Sequence, residues 1–132
     1  MANAQQNEAT VRKAYEYFST GNMEELMKLF DPGVAWHVPG RSRLAGEKRG
    51  VETVFGFFGE LAQETNGTFQ VELHDVVANE KHAVGLHTNK ATRNGKQLNM
   101  HVALVLHINA AGKVDEVWDH WEDTSVVDEF FA

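Results

Sequence analysis

Cysteine is absent from all 132 residues, which removes disulfides, thiolate metal sites and cysteine nucleophiles together. Proline is scarce, with 2 residues, and neither repeats nor a low-complexity linker mark a second domain. No apolar run approaches the roughly 20 residues of a membrane span. The opening Met-Ala-Asn-Ala-Gln-Gln-Asn lacks the basic and apolar regions of a signal peptide. A basic excess is missing too: 12 Lys and Arg face 19 Asp and Glu, a net charge of -7. That balance argues against nucleic acid or an anionic membrane surface as the main partner. Gly-rich phosphate loops and a Gly-x-Ser-x-Gly nucleophile elbow are also lacking, so no cofactor is expected. What remains is the composition of one cytoplasmic domain, 42% hydrophobic and 23% charged. A chain of this length buries roughly two-thirds of its unfolded surface in one core.

The order of elements reads from apolar spacing. Val11, Ala14, Tyr15 and Phe18 recur at helical intervals over residues 5–19, and Gly21 suits a left-handed cap. A short helix is expected over 23–30, with Asp31-Pro32-Gly33 as a turn and a strand over 34–38. The basic, Gly-rich stretch 41–50 reads as a loop. A third helix is predicted over 51–64, with Val54, Phe55, Phe58 and Leu61 as its stripe. Everything later alternates as strands, 68–77, 81–93, 97–109 and 113–123, and Asn94-Gly95 is the strongest hairpin signal. Three N-terminal helices before a mainly antiparallel meander make an α+β domain. The sheet must curve strongly around the helices to bury their stripes, which gives a cone with an internal cavity.

The last strand carries the most chemical information. Alternate residues share a face, so Val117, Asp119 and Trp121 lie on one side, and Glu116, Trp118, His120 and Glu122 on the other. With the first set inward, an acid sits among apolar walls, where its proton affinity is tunable. A slip of one residue would exchange Asp119 for Trp118 and His120. His120 and Glu122 share a face, but two ligands do not make a metal site, so no metal is expected. Arg41, Arg43, Lys48 and Arg49 form a basic cluster with the pattern of a solvated loop.

Several stretches in order carry a resemblance: Gly21-Asn22, Trp36-His37-Val38-Pro39-Gly40, Arg49-Gly50, and Gly112-Lys113-Val114 leading into Trp118-Asp119. With these the chain resembles the SnoaL-like branch of the nuclear transport factor 2-like superfamily, relatives of polyketide cyclases and ketosteroid isomerase. The resemblance implies that Asp119 holds the position of the cyclases' catalytic acid/base, whose partner His falls here at Leu104. The isomerase's oxyanion-hole Tyr matches Ala14, its base matches Val38 and its second Asp again matches Leu104. Steroid isomerisation by that route is therefore not expected. The resemblance further implies a cavity lined by Phe18, Phe30, Trp36, Val38, Phe58, Leu104 and Trp121. It places Ala83, Gly85 and His87 inward. Tyr15 and Tyr17 lie beside Ala14 on the first helix, where one hydroxyl can cover the cavity, and core packing is the expectation for Tyr15. His37, His101, His107 and His120 would then lie outside with Trp118, on a face that commonly forms a homodimer.

Two functions follow. In the first, a small apolar molecule enters the cavity, and Asp119, with His87 as a second acid/base, drives cofactor-free proton transfer: cyclisation, isomerisation or dehydration. In the second, the chain is a non-catalytic dimeric module that binds a ligand or a protein. A cavity filled by Trp36, Phe58 and Trp121 would favour binding. Asp119 and His87 within hydrogen-bond reach of each other would favour catalysis. Epoxide hydrolysis would need an Asp-Arg-Asp set, to which Arg93, near a strand end, lends only weak support.

Overall fold

Ten elements wrap one core in the computed structural model, which describes residues 3–132. They are α1 (Ala4–Thr20), α2 (Met23–Met27), β1 (Phe30–Val38), β2 (Gly46–Arg49), α3 (Val51–Glu64), β3 (Gln70–Ala78), β4 (His82–Arg93), β5 (Lys96–Ile108), β6 (Val114–Trp121) and α4 (Thr124–Phe130). One six-stranded sheet runs in the order β2-β1-β6-β5-β4-β3. It is antiparallel except where β1 pairs parallel with β6. The sheet is curved and unclosed, and the helices fill its concave side, as the α+β reading requires.

Local chemistry explains the boundaries. Asn3 caps α1 by accepting from the Gln6 amide at 2.8 Å, and Gly21 ends it in the left-handed region at φ 74°. Asn94 and Gly95, with φ 51° and 78°, make the β4–β5 turn that this dipeptide announces. Buried Asn7 on α1 donates to the carbonyls of Asn79 and Glu80, both at 3.0 Å. A polar side chain therefore ties the first helix to the distant β3–β4 turn.

Four boundaries differ from expectation. The second helix stops at Met27 and Phe30 already belongs to β1. Asp31-Pro32-Gly33 is not a turn. It lies within β1, where Asp31 accepts from the Gly33 amide at 2.9 Å and the register with β6 shifts between Phe30 and Ala35. The same turn-forming residues make a bulge once both flanks are held in the sheet. The basic stretch is not wholly loop, because Gly46–Arg49 hydrogen-bond to β1 as an edge strand. Edge strands tolerate charge on every residue, so hydrophobic alternation gave no cue. Finally, β6 ends at Trp121 and Asp123 caps α4.

Candidate functional site

The concave side of the sheet and the helices enclose a cavity of about 100 Å³ with almost wholly apolar walls. Phe18, Trp36, Phe58, Phe69 and Leu104 supply much of its surface. The aromatic rings pack edge to face, Phe18 on Phe58 at 5.3 Å and Trp36 on Phe58 at 5.2 Å. The indole of Trp36 and its aromatic neighbours thus frame the space without filling it. Val38 departs from expectation: it is buried, but it does not line the cavity. It sits at the end of β1 opposite Gly46 of β2.

Asp119 points into this cavity from β6, directly across the ladder from Leu104 of β5. Trp36 Nε1–H donates to its Oδ2 at 2.7 Å. Burial pushes the carboxyl up to about 6, against the opposing pull of the Trp36 and Trp121 indoles. The Trp121 N–H lies near this carboxyl yet makes no hydrogen bond of good geometry, and it is buried with no partner. The surface that Asp119 retains opens onto the cavity.

His87 of β4 is 5% exposed and lines the same cavity. It does not bond Asp119. Its Nδ1 lies 2.6 Å from Tyr15 Oη and its Nε2 3.0 Å from Asn89 Oδ1. Desolvation pushes the imidazole down to about 4, outweighing the Asn89 bond that favours its charged form. His87 is therefore neutral near pH 7 with both ring nitrogens engaged. Tyr15 is more than core packing, since its hydroxyl enters the site. Gly85 makes room for it: a Cβ there would stand 2.2 Å from Tyr15 Oη.

The remaining candidates sort by face. His101 and His120 are exposed and Trp118 is half-buried, stacked on His37 at 5.7 Å. Arg93 is held by Glu64 and by the carbonyls of Phe130 and Ala132, so it clamps α4 and takes no part in the cavity. Arg43 pairs with Glu64, Arg49 pairs with Glu47, and Lys48 covers the Phe57 ring. Among the described residues no three His, Asp or Glu converge as a metal-ligand set.

Sequence reasoning missed Asn89, Phe69, Val127 of α4 and Phe131, which caps its C-terminal end, all of which line the cavity. For α4 a signal existed: Asp123 accepts from the Ser125 amide at 3.0 Å as an N-cap, before a Val-Val-x-x-Phe-Phe stripe.

Comparison with known proteins agrees with this geometry. Residues 11–117 match the SnoaL-like domain, and the chain belongs to that family. An uncharacterised protein of Mycobacterium tuberculosis is 32% identical over 92% of this chain and 93% of its own length. Bal32a, from a soil-derived mobile gene cassette, superposes with a TM-score of 0.94 at 39% identity, covering 98% of each chain. A putative SnoaL-like polyketide cyclase from a Jannaschia species shares the fold, with a TM-score of 0.80 at 13% identity over 100% of this chain and 96% of its own. The fold is that of the nuclear transport factor 2-like proteins. Among the described residues no helix is long and apolar enough to cross a membrane.

Proposed function

We propose that the cavity binds a small, largely apolar molecule and that Asp119 moves a proton at a carbon next to its carbonyl group, without a cofactor. One observation carries this reading: a carboxyl pushed up to about 6 faces an aromatic cavity from the middle of a strand. Near neutral pH such a group exchanges a proton in both directions, which cyclisation, isomerisation and dehydration all require. Trp36 holds the carboxyl in place, and the apolar walls keep water from competing for the proton. His87, neutral and bonded on both nitrogens, acts by positioning Tyr15 rather than by meeting Asp119.

A test follows hydrogen–deuterium exchange beside the carbonyl of small cyclic and aryl ketones by NMR. Exchange catalysed by the wild type and lost in Asp119→Asn supports the role. Equal exchange in both proteins refutes it.

A second reading, a non-catalytic binding module, is favoured by Leu104 opposite Asp119, because an aliphatic side chain cannot relay a proton. Ring compounds that raise the melting temperature without any exchange would select it.

In either reading the chain works in the cytoplasm as a homodimer through the outer sheet face. One row across that face runs Val77, Val84, Val105, Trp118 and His37. Val77 is 53% and Leu86 41% exposed there, while His101 and His120 lie on the same side. An apolar strip of this kind gains from self-association. Light scattering should report a dimer for the wild type and a monomer for Leu86→Glu. An unchanged mass for that variant, or a monomeric wild type, refutes the interface.

A further inference from the structure

The polar groups of the cavity stand at two ends, Tyr15, His87 and Asn89 at one and Asp119 and Trp121 at the other. At the first end the direction of the hydrogen bonds is fixed by counting protons. Neutral His87 carries one ring proton. Asn89 presents Oδ1, an acceptor, to Nε2 at 3.0 Å, so the proton sits on Nε2 and is donated to Asn89. Nδ1 is left as an acceptor, and the Tyr15 hydroxyl, 2.6 Å away, donates to it. The hydroxyl proton is committed to His87, so Tyr15 Oη offers the cavity only lone pairs.

At the second end a donor stands beside the acceptor oxygens of Asp119. The Trp121 indole N–H is buried close to that carboxyl but makes no hydrogen bond of good geometry to it, so it is open to a better-placed acceptor. The ends are set apart by the sheet. Gly85, Leu104 and Asp119 form one row across β4, β5 and β6. With strands about 4.8 Å apart, the outer two lie roughly 10 Å from one another. Tyr15 Oη stands over Gly85, and Leu104 forms the apolar floor between the ends. The space above that floor, about 100 Å³, is on the scale of a single six-membered ring.

We infer that the ligand is a single-ring compound with oxygen functions at opposite ends, a hydroxyl that donates to Tyr15 Oη and a ketone oxygen that accepts from Trp121 Nε1. This rests on the small-molecule reading above and gives it a substrate class: hydroxylated ring ketones, with the carbon next to the carbonyl set before Asp119.

The probes are para-hydroxyacetophenone and para-fluoroacetophenone, which differ in one donor at nearly equal size. By calorimetry the hydroxy compound should bind wild type roughly tenfold more tightly, the value of one well-made hydrogen bond. In Tyr15→Phe that preference should vanish while the fluoro compound still binds, which also shows that the variant is folded. Equal affinity of wild type for the two probes, or a preference that survives in Tyr15→Phe, overturns the inference and leaves the small-molecule reading standing. Binding of neither probe overturns both.

Discussion

Replacing Asp119 by Asn should stabilise the protein progressively as pH rises through the interval between the unfolded and native titrations of the carboxyl, and fully above it. Asp119 titrates near 3.8 when unfolded and is pushed up to about 6 in the fold. Between those values the native state holds a proton that the unfolded state has released, so stability falls as pH rises. A shift of about two units corresponds to about 3 kcal/mol, lost progressively up to about pH 6 and absent at neutral pH. Asparagine keeps the shape and the acceptor for Trp36 but never carries the charge. The variant should therefore match wild type near pH 4 and exceed it by about 3 kcal/mol at about pH 7.5, roughly 10 °C in melting temperature for a chain of this size. His87 gives the experiment a second signature. Its depression from 6.5 to about 4 makes stability rise with pH across that interval, because the unfolded state binds the extra proton. In wild type the two slopes oppose each other and nearly cancel; in Asp119→Asn the rise of His87 stands alone. Urea titrations of both proteins at several pH values provide the measurement. A difference between the proteins that does not change with pH would refute the buried-charge argument.

Three further outcomes follow from the same contacts. Tyr15→Phe leaves the buried Nδ1 of His87 without its donor and should cost about 1–3 kcal/mol in urea unfolding, whereas Tyr17→Phe on the more open side should cost under about 0.5. Trp36→Phe removes the N–H that favours the charged Asp119, so the carboxyl should rise further. The pH profile of any Asp119-dependent exchange would then move upward by about one unit. Gly85→Ala forces the Tyr15 ring aside and should lose about 1–3 kcal/mol by thermal melting, through overpacking alone.

The α+β order was legible where a helix carried an apolar stripe and a hairpin a turn signal, as Asn94-Gly95 shows. It was legible at Asp119 because the period of a strand leaves only two choices of face, and the buried Val117 and half-buried Trp121 fix which one is inward. Asp31-Pro32-Gly33 misled for a physical reason: local turn preference is real but yields to pairing on both flanks. The edge strand at Gly46–Arg49 was invisible because its hydrogen bonds, not its side chains, hold it. Two pairings lay beyond any one-dimensional reading. Asp119 takes its donor from Trp36, and His87 takes Tyr15, positions 83 and 72 apart in the chain. The parallel pairing of β1 with β6 brings the first two together, and the packing of α1 over β4 at Gly85 brings the second two together.

The void left by Gly85 has a consequence for how this cavity changes over generations. A Cβ at position 85 meets the Tyr15 ring as well as its hydroxyl, at 2.6 Å from Cε2 and 2.7 Å from Cζ. Position 85 is not free to gain a side chain while tyrosine stands at 15. Any lineage that gains a side chain at 85 must shrink residue 15 at the same time, and then His87 loses its donor. Sequences that keep this cavity chemistry should therefore show glycine and tyrosine as a pair, and descendants that give up the glycine should give up the tyrosine as well. That paired signature is readable from sequence, without a structure for each relative.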